Sequence, residues 1–575
     1  MAAFGGIHTE VLADSVLGMV PVTRDSARRL LTRLRGWPLL AGHRGSPPLD
    51  IDALCDILVK TSTLAITDPE IIELDLNPVM VGERGSGATV VDVRMVISPP
   101  GSTEARPTGD LDRLLRPGHV AVVGVSDDQA KIGSRIHENL LRHGFHGRLD
   151  AVHPKGGTVR GRPRHRSLDD IDGSPDLVSV AVPSTTVLSI AQAAVRARVG
   201  GIVIHSAGFA EAGSEGAQLQ HDVAAILRSG GVRLIGPNSM GIVSPADGLA
   251  ASFAGALELP SLQTGGIALF ATSGALSSCI VSRIWEAGGG ISSWVSLGNE
   301  ADVDLAECLD WVSSDPGTKV VGVILEHVSD GPRFMQAARK TLAAGKPVFA
   351  YNMGRTPRGQ AAVATHIGAL AGSFALREAL LTESGVVTVP RLAVLEDALL
   401  QSSANPLPAG PRLAVITGSG GASSIVADEA EQAGLMLPDL PRRISEALRP
   451  QLPAFATLSN PLDVTAQLFN DPAALGSVVE SCIDPASFDA VLVQFTTNAD
   501  PSAEITADAI LSVRERSPIP VFVARFGAEA IAPRGSARYR QAGIPLLDAP
   551  DQAITVINAL VRAGAAVAGA RTTAT

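Results

Sequence analysis

From residue 119 onward, short apolar runs alternate with stretches of helical period. The runs His119–Val123, Gly266–Phe270, Val321–Leu325, Pro347–Ala350, Leu413–Ile416, Asp489–Gln494 and Ile519–Ala524 are rich in Val, Ile, Leu and Ala and do not alternate with polar residues. Such runs predict parallel strands buried on both faces, and the intervening amphipathic stretches predict crossover helices, which together define an α/β class. Further strand ends are expected before Ala151, Ala181, His205 and Gly236, each followed by a Gly-, Pro- or Ser-bearing turn. The first hundred residues read differently. Amphipathic helices are expected over Ser26–Leu34 and Asp50–Ile66, then strands at Ile71–Leu76 and Thr89–Val96. Pro99–Gly109 and Ala404–Pro411 read as breaks, giving folded segments at 1–98, 110–258, 259–404 and 410–566 and an unstructured Ala/Gly/Thr tail at 567–575.

Composition narrows the class. A chain of 575 residues has room for roughly three to four domains. Aromatic residues make up only 3%, and the formal charge is −11, so a nucleic-acid surface with stacking platforms is excluded. Cys55, Cys279, Cys308 and Cys482 are too scattered for a disulfide framework or a zinc site and are expected to be buried. Neither a leader pattern nor an apolar run near ~18 residues stands out, so a cytoplasmic small-molecule protein without nucleic-acid or membrane partners is expected.

Candidate chemistry lies at the strand ends. Gly124, Ser126, Lys131 and Gly133 form a strand–turn–helix start, where free helix N–H groups favour anions. The second strand ends in His153-Pro154-Lys155 where a dinucleotide site would place a carboxylate for the ribose, which sets a cation there instead. The basic run Arg160, Arg162, Arg164, His165, Arg166 reads as a solvated loop. Ser273, Gly274 and Ala275 form another anion-type turn, and Glu326 stands at a strand tip. Gly354, Gly359 and Gly368 predict a loop with His366 inside it, before a helix over Ser373–Ser384. A histidine among small residues suits phosphoryl transfer, and equally a loop histidine with a satisfied hydrogen bond. Glu73, Asp75 and Asn77 share one strand face by period two, which suits Mg²⁺ or a solvated edge.

The loop Thr365-His366-Ile367-Gly368-Ala369 resembles the Ser-His-Thr-Gly-Ala loop of the ADP-forming acyl-CoA synthetases, relatives of succinyl-CoA synthetase, with departures at Ile367 and at Asn352, where lysine is frequent. The turns after the strands between Ala121 and Gly241 resemble the CoA-binding domain of that family. Gly5–Glu10, Leu34–Leu40, Arg44-Gly45 and Glu73–Val79 are similar to the C-terminal part of its ATP-grasp domain. The resemblance implies a partial ATP-grasp domain, a Rossmann-like CoA-binding domain and two flavodoxin-like CoA-ligase domains. It implies CoA, ATP or another NTP, and Mg²⁺ as ligands of an acid–CoA ligase working through a phosphohistidine and an acyl phosphate. By the same resemblance His366 carries phosphate and Glu326 orients it, while Ser273, Gly274, Ala275, Gly368 and Ala369 cradle it. CoA falls to Gly124, Ser126, Lys131, Gly133, Lys155, Val182, Pro183, Ser206 and Asn238, and the metal to Asp75 and Asn77. Glu10, Arg44, Asn460 and Asp463 are further candidates. The rest of the ATP-grasp fold is expected to precede Met1 or to sit on a partner chain, a homo-oligomer being the other association considered. The alternative function is a CoA- or acyl-CoA-binding subunit without ligase activity of its own.

Overall fold

The computed structural model describes residues 1–5, 14–98, 111–367, 373–453, 456–468, 471–496 and 498–574. They form two compact units, Met1–Pro107 with Gly372–Glu383, and Thr108–Ala371 with Ser384–Thr575.

In the first unit, Thr23 and Ser26 form a reciprocal capping box at the start of helix Arg24–Thr32. Ala27, Leu30 and Leu31 on that helix bury against Cys55 of helix Ile51–Thr67. The expected strand Thr89–Val96 is two strands. Ala88–Val90 pairs with Val79–Val81, and Val93–Ile97 pairs with Ile71–Leu76. Asp92 causes the break: its Oδ1 accepts the Val93 N–H at 2.9 Å and its carbonyl accepts the Asn77 N–H at 3.2 Å, a local side-chain bond that competes with the ladder.

The second unit contains three parallel sheets. In the first, six parallel strands numbered along the chain take the order 3-2-1-4-5-6, that of a doubly wound nucleotide-binding sheet. His119–Val123 is central, flanked by Arg148–Val152 and then Arg162–His165 on one side. Leu177–Val180, Gly201–Ile204 and Arg233–Ile235 follow on the other. The strand Arg162–His165 corrects the expectation of a solvated loop: Arg164 pairs with Ala151 and His165 with Val152, and the Arg164 side chain is buried.

The second sheet orders its parallel strands Ile291–Ser296, Thr264–Ala271, Val320–Leu325, Val348–Asn352 and Val387–Thr388, a flavodoxin-like 2-1-3-4-5 arrangement. The hairpin Gly241–Ser244/Leu249–Ser252 adds to its edge antiparallel to Ile291–Ser296. A segment expected to close the preceding domain therefore builds the next sheet. The third sheet runs Leu462–Asp463, Leu413–Thr417, Ala490–Phe495, Val521–Arg525, with Leu547 bridging to Ala524.

Two helices depart from expectation. Pro357–Ile367 is helical where a glycine loop was expected. Thr356 starts it, its Oγ1 accepting the Gly359 N–H at 3.1 Å and its carbonyl the Gln360 N–H at 2.8 Å, and the alanines at 361, 362 and 364 favour the helix. The tail from 567 is the end of helix Pro550–Ala574. By length and composition alone Pro550–Thr572 could cross a membrane, but Ala553, Ile554, Ile557, Leu560 and Ala563 form a buried stripe in the core shared by the second and third sheets. Cys55, Cys308 and Cys482 are buried, whereas Cys279 is exposed.

The first and second sheets are joined through a buried cation. Arg233 on the sixth strand donates from Nε to Asp302 at 2.9 Å and from Nη1 and Nη2 to Glu307 at 2.6 and 2.7 Å, and Asp302 also accepts the Leu234 N–H at 2.9 Å. Burial alone would depress the guanidinium pKa, but the two carboxylates outweigh it and raise it. Removing one member leaves uncompensated buried charge. Arg233→Ala is therefore expected to destabilise the protein by about 3–5 kcal/mol. Arg196→Ala, which breaks the exposed pair with Asp169, should cost far less, because water screens that pair. Urea unfolding of both variants checks the contrast, and equal losses would contradict it.

Candidate functional site

The strand ends of the first sheet form a face around the point where strand order reverses. Gly124 closes the first strand with φ +101°, and a Cβ there would lie 2.3 Å from the Ala181 carbonyl oxygen. A Cβ at Gly133 would lie 2.5 Å from the Gly124 oxygen. These two glycines let the first turn, the fourth-strand loop and helix Ile132–Arg142 meet backbone to backbone. Ser134 completes the turn, its Oγ accepting the Ser126 N–H at 3.1 Å and donating to the Ser126 carbonyl at 3.0 Å. Lys131 occupies the N-cap position of the helix and is exposed.

On the neighbouring loop Lys155 is exposed, and its N–H donates to His153 Nδ1 at 3.3 Å. Across the switch point, Val182 and Pro183 precede helix Ser184–Arg196. Ser206 donates its hydroxyl to the Val182 carbonyl, which ties two of the predicted loops together. Asn238 adopts φ +59°, a left-handed conformation that asparagine tolerates, and its N–H reaches the Ser206 carbonyl at 3.0 Å. The predicted CoA-contact residues therefore converge on one edge of one sheet.

The structure gives contacts to residues for which pattern reading assigned no role. Arg164 is one. Another is Asn299, which donates to Glu211 at 2.6 Å and to Gln220 at 2.9 Å. Burial pushes the Glu211 carboxyl up, but Asn299 and the Phe209 and Gly208 amides outweigh it and leave the pKa below its usual value. Neither pair has a local sequence signal, because the partners lie 88 and 79 residues apart.

At the second sheet, Ser273 stands at the N-cap of helix Gly274–Glu286 without a side-chain cap bond. Gly274 is required by packing, since a Cβ there would sit 2.5 Å from Met240 Cγ. Ala275 is exposed on the first turn, while the neighbouring Thr272 is buried with its hydroxyl unpartnered among the described residues. Glu326 follows strand Val320–Leu325 and is 2% exposed. The Thr272 N–H donates to the Ile324 carbonyl at 3.2 Å and the Met353 N–H to the Leu325 carbonyl at 3.0 Å. Glu326 thus sits between the Ser273 turn and the chain leading to helix Pro357–Ile367. The next residue, His327, places Nε2 2.9 Å from Glu300, whose carboxylate is buried. His366 falls on the last turn of its helix, while its side chain, Gly368 and Ala369 lie outside the described residues.

In the third sheet Asn460 is committed to backbone, accepting from Val415 N–H at 3.0 Å and donating to the Leu413 and Pro438 carbonyls at 2.8 and 3.0 Å. Asp463 accepts the Thr465 N–H at 2.9 Å. In the first unit Asp75 and Asn77 are exposed, and Glu73 pairs with Arg94 at 3.4 Å. No cluster of three or more His, Cys, Asp or Glu able to hold a metal occurs among the described residues. Asp75 and Asn77 are exposed oxygen-bearing side chains, the donor type that a hard cation such as Mg²⁺ takes alongside water and phosphate oxygens. Arg44 is exposed at φ +50°, and Glu10 lies outside the described residues.

A doubly wound sheet with a lysine in the loop after its second strand is followed here by two flavodoxin-like sheets. Comparison with known proteins assigns this arrangement to CoA-handling proteins of the succinyl-CoA ligase type. Residues 1–97 match the ATP-grasp domain, 118–245 the CoA binding domain, 264–400 the succinyl-CoA ligase like flavodoxin domain and 413–521 the ligase-CoA domain. Acetate–CoA ligase [ADP-forming] II of Archaeoglobus fulgidus is 30% identical over 88% of this chain and 74% of its own length. The alpha subunit of acetate–CoA ligase [ADP-forming] II of Pyrococcus furiosus is 30% identical over 80% of this chain and 99% of its own length. The dinucleotide-forming acetyl-coenzyme A synthetase 1 of Ca. Korarchaeum cryptofilum, solved with phosphate and ADP, superimposes with a TM-score of 0.75 at 28% identity. That match covers 81% of this chain and 99% of that one. The chain belongs to the ADP-forming acid–CoA ligase family, and it is an enzyme; the reading as a subunit without ligase activity is not favoured by these relatives.

One histidine of this face is structural. His205 is fully buried, with Nε2 2.7 Å from Ser179 Oγ and Nδ1 3.0 Å from the Ser239 carbonyl oxygen. Burial lowers its pKa to about 4, the Ser239 carbonyl pulling only weakly the other way. The unfolded chain, with a histidine near its usual value of about 6.5, binds the extra proton first as pH falls. Stability should therefore decline between about pH 6.5 and 4, and His205→Gln should flatten that decline in thermal melts. An unchanged slope would contradict the assignment.

Proposed function

We propose that His366 is the phosphoryl carrier and that the acid is activated beside Glu326. The placement of Glu326 carries this reading: a buried carboxylate at a strand tip, between the Ser273-Gly274-Ala275 turn and the chain leading to the His366 helix. In the forward direction a phosphoryl group passes from ATP to an imidazole nitrogen of His366, releasing ADP. A carboxylate oxygen of the acid then attacks phosphorus, breaking the N–P bond and giving an acyl phosphate. The CoA thiolate next attacks the acyl carbon, and phosphate leaves with the C–O electron pair. Covalent relay splits one difficult condensation into transfers of smaller barrier. Glu326 stabilises the cationic imidazole formed on phosphorylation, while the N–H groups at the Ser273 turn hold the phosphoryl oxygens, with Gly368 and Ala369 proposed as the further phosphate residues.

CoA lies along the strand ends of the first sheet, with Gly124, Ser126, Lys131, Gly133, Val182, Pro183, Ser206 and Asn238 against it and Lys155 on a phosphate. Asp75 and Asn77 would hold Mg²⁺, which neutralises nucleotide phosphate charge when bound. Acetate is the acid named for the Archaeoglobus and Pyrococcus relatives above, so acetate and other short acids are the first substrates to try. A companion chain carrying ATP-grasp residues is in keeping with the Pyrococcus relative, itself an alpha subunit. We infer a cytoplasmic reaction.

Run in reverse with acetyl-CoA and labelled phosphate, the protein should acquire an acid-labile, alkali-stable phosphate that ADP removes. His366→Ala should abolish labelling and Glu326→Gln should reduce it, roughly by the 10²-fold typical of losing one oriented charge partner. Labelling that persists in His366→Ala would overturn the carrier assignment.

A further inference from the structure

The basic segment after the second strand is built into the CoA face through one side chain. Arg164 lies on the third strand, and its side chain is 5% exposed. Its Nε donates to the Gly156 carbonyl at 2.8 Å, and its Nη1 donates to the Val125 carbonyl at 3.2 Å and to Asp127 Oδ1 at 3.1 Å. Its own N–H donates to the Gly157 carbonyl at 2.9 Å. One guanidinium therefore bonds the turn that follows the first strand and the loop that follows the second. Gly156 and Gly157 have φ of +60° and +91°, so this loop takes a path that residues with side chains rarely follow.

Lys155 is the residue this arrangement controls. It immediately precedes Gly156, whose carbonyl Arg164 holds, and its N–H is anchored on His153. His153 senses both cations: burial first, then Arg164 and Lys155, move its pKa below the ordinary value, with Asp127 opposing. Lys155 has a flexible stem and no ion-pair partner among the described residues, so only its backbone can fix where its ammonium stands.

We propose that Arg164 is a positioning residue for CoA recognition: by locking the Val125–Asp127 turn to the Gly156-Gly157 loop it sets Lys155 to receive the phosphate on the CoA ribose. The end of the second strand is where a doubly wound sheet grips a ribose, and a cation there selects a ribose that bears a phosphate. Gln or Ala at position 164 would leave the main-chain carbonyls of Gly156 and Val125 without their donor and free the loop. This rests on the CoA reading of the first sheet.

Calorimetry with CoA and with dephospho-CoA tests it. The native protein should bind CoA more tightly. Arg164→Gln should reduce that preference by roughly 10-fold, the size expected for lost hydrogen bonds to a charged group, while dephospho-CoA binding changes little. Lys155→Ala should remove the same preference, and the double variant should lose no more than Lys155→Ala alone, because both act on one contact. Arg164→Lys, which keeps the buried charge, should restore part of the preference, and Asp127→Asn, at an exposed carboxylate, should narrow it slightly in a folded protein. These two variants decide the matter if Arg164→Gln does not fold. An unchanged preference in both, an equal loss for both ligands, or losses that multiply in the double variant would overturn the proposal while leaving CoA binding intact. A native protein that binds CoA and dephospho-CoA equally would do the same. Failure of the native protein to bind CoA at all would remove the reading beneath it.

Discussion

The second unit depends on the buried contact in which Arg233 of the first sheet is held by Asp302 and Glu307 of the second. Three charged side chains, each no more than 8% exposed at the side chain, are held there by reciprocal hydrogen bonds. Such a set is costly to desolvate and strict in geometry, so it specifies how the sheets dock more than it adds net stability. The backbone of the same segment confirms the docking: the N–H groups of Asn299, Ala301 and Val303 donate to Pro237, Gly236 and Leu234 at 2.9, 3.0 and 3.0 Å. The loop that carries Asn299 to the CoA face and Glu300 to His327 is thus fixed at both ends. In the proposed reaction, CoA on one sheet and the phosphoryl carrier on the next must keep a constant relation if an acyl group is to pass between them. The ion cluster and its flanking backbone bonds supply that constancy within this unit.

Two sorts of constraint shape the CoA face. Close backbone approach at Gly124 and Gly133 brings N–H groups and carbonyls together with no side chain between them, at the point where strand order reverses. Charge is the second constraint. The loop after the second strand carries an exposed lysine, and a buried arginine supports that loop; on the proposed reading this cation favours a phosphorylated ribose over the free hydroxyl of a nicotinamide cofactor.

Much of this was legible in the order of apolar runs. Strands buried on both faces have an unbroken Val/Ile/Leu signature, so the central strands of all three sheets and the turns after them could be read directly. What escaped detection depends on distant partners or on competing local signals. Arg164 looked solvated because a run of arginines normally is; its strand exists because the backbone pairs with Ala151 and Val152, and its burial because two carbonyls meet it. Pro357–Ile367 looked like a loop because of its glycines, yet Thr356 and the alanines outweigh Gly359 in the first turn. The Gly241–Ser252 hairpin joins the later sheet because Gly241 pairs with Ser296, a choice made by tertiary packing. The final turns of Pro550–Ala574 follow the helix before them, whose stripe of Ile and Leu is buried. The backbone bonds of Asn460 likewise had no local signal, since its partners Leu413 and Pro438 lie 47 and 22 residues away.

Hydrogen exchange of the whole protein with and without CoA tests the central claim most directly, because it reads which backbone amides the ligand covers. The account predicts that CoA slows exchange in Gly124–Lys131, His153–Gly157 and Val182–Ser184, and leaves the strand Leu413–Thr417 and its following turn unchanged. Protection confined to the third sheet, or no protection at the ends of the first sheet's strands, would contradict it.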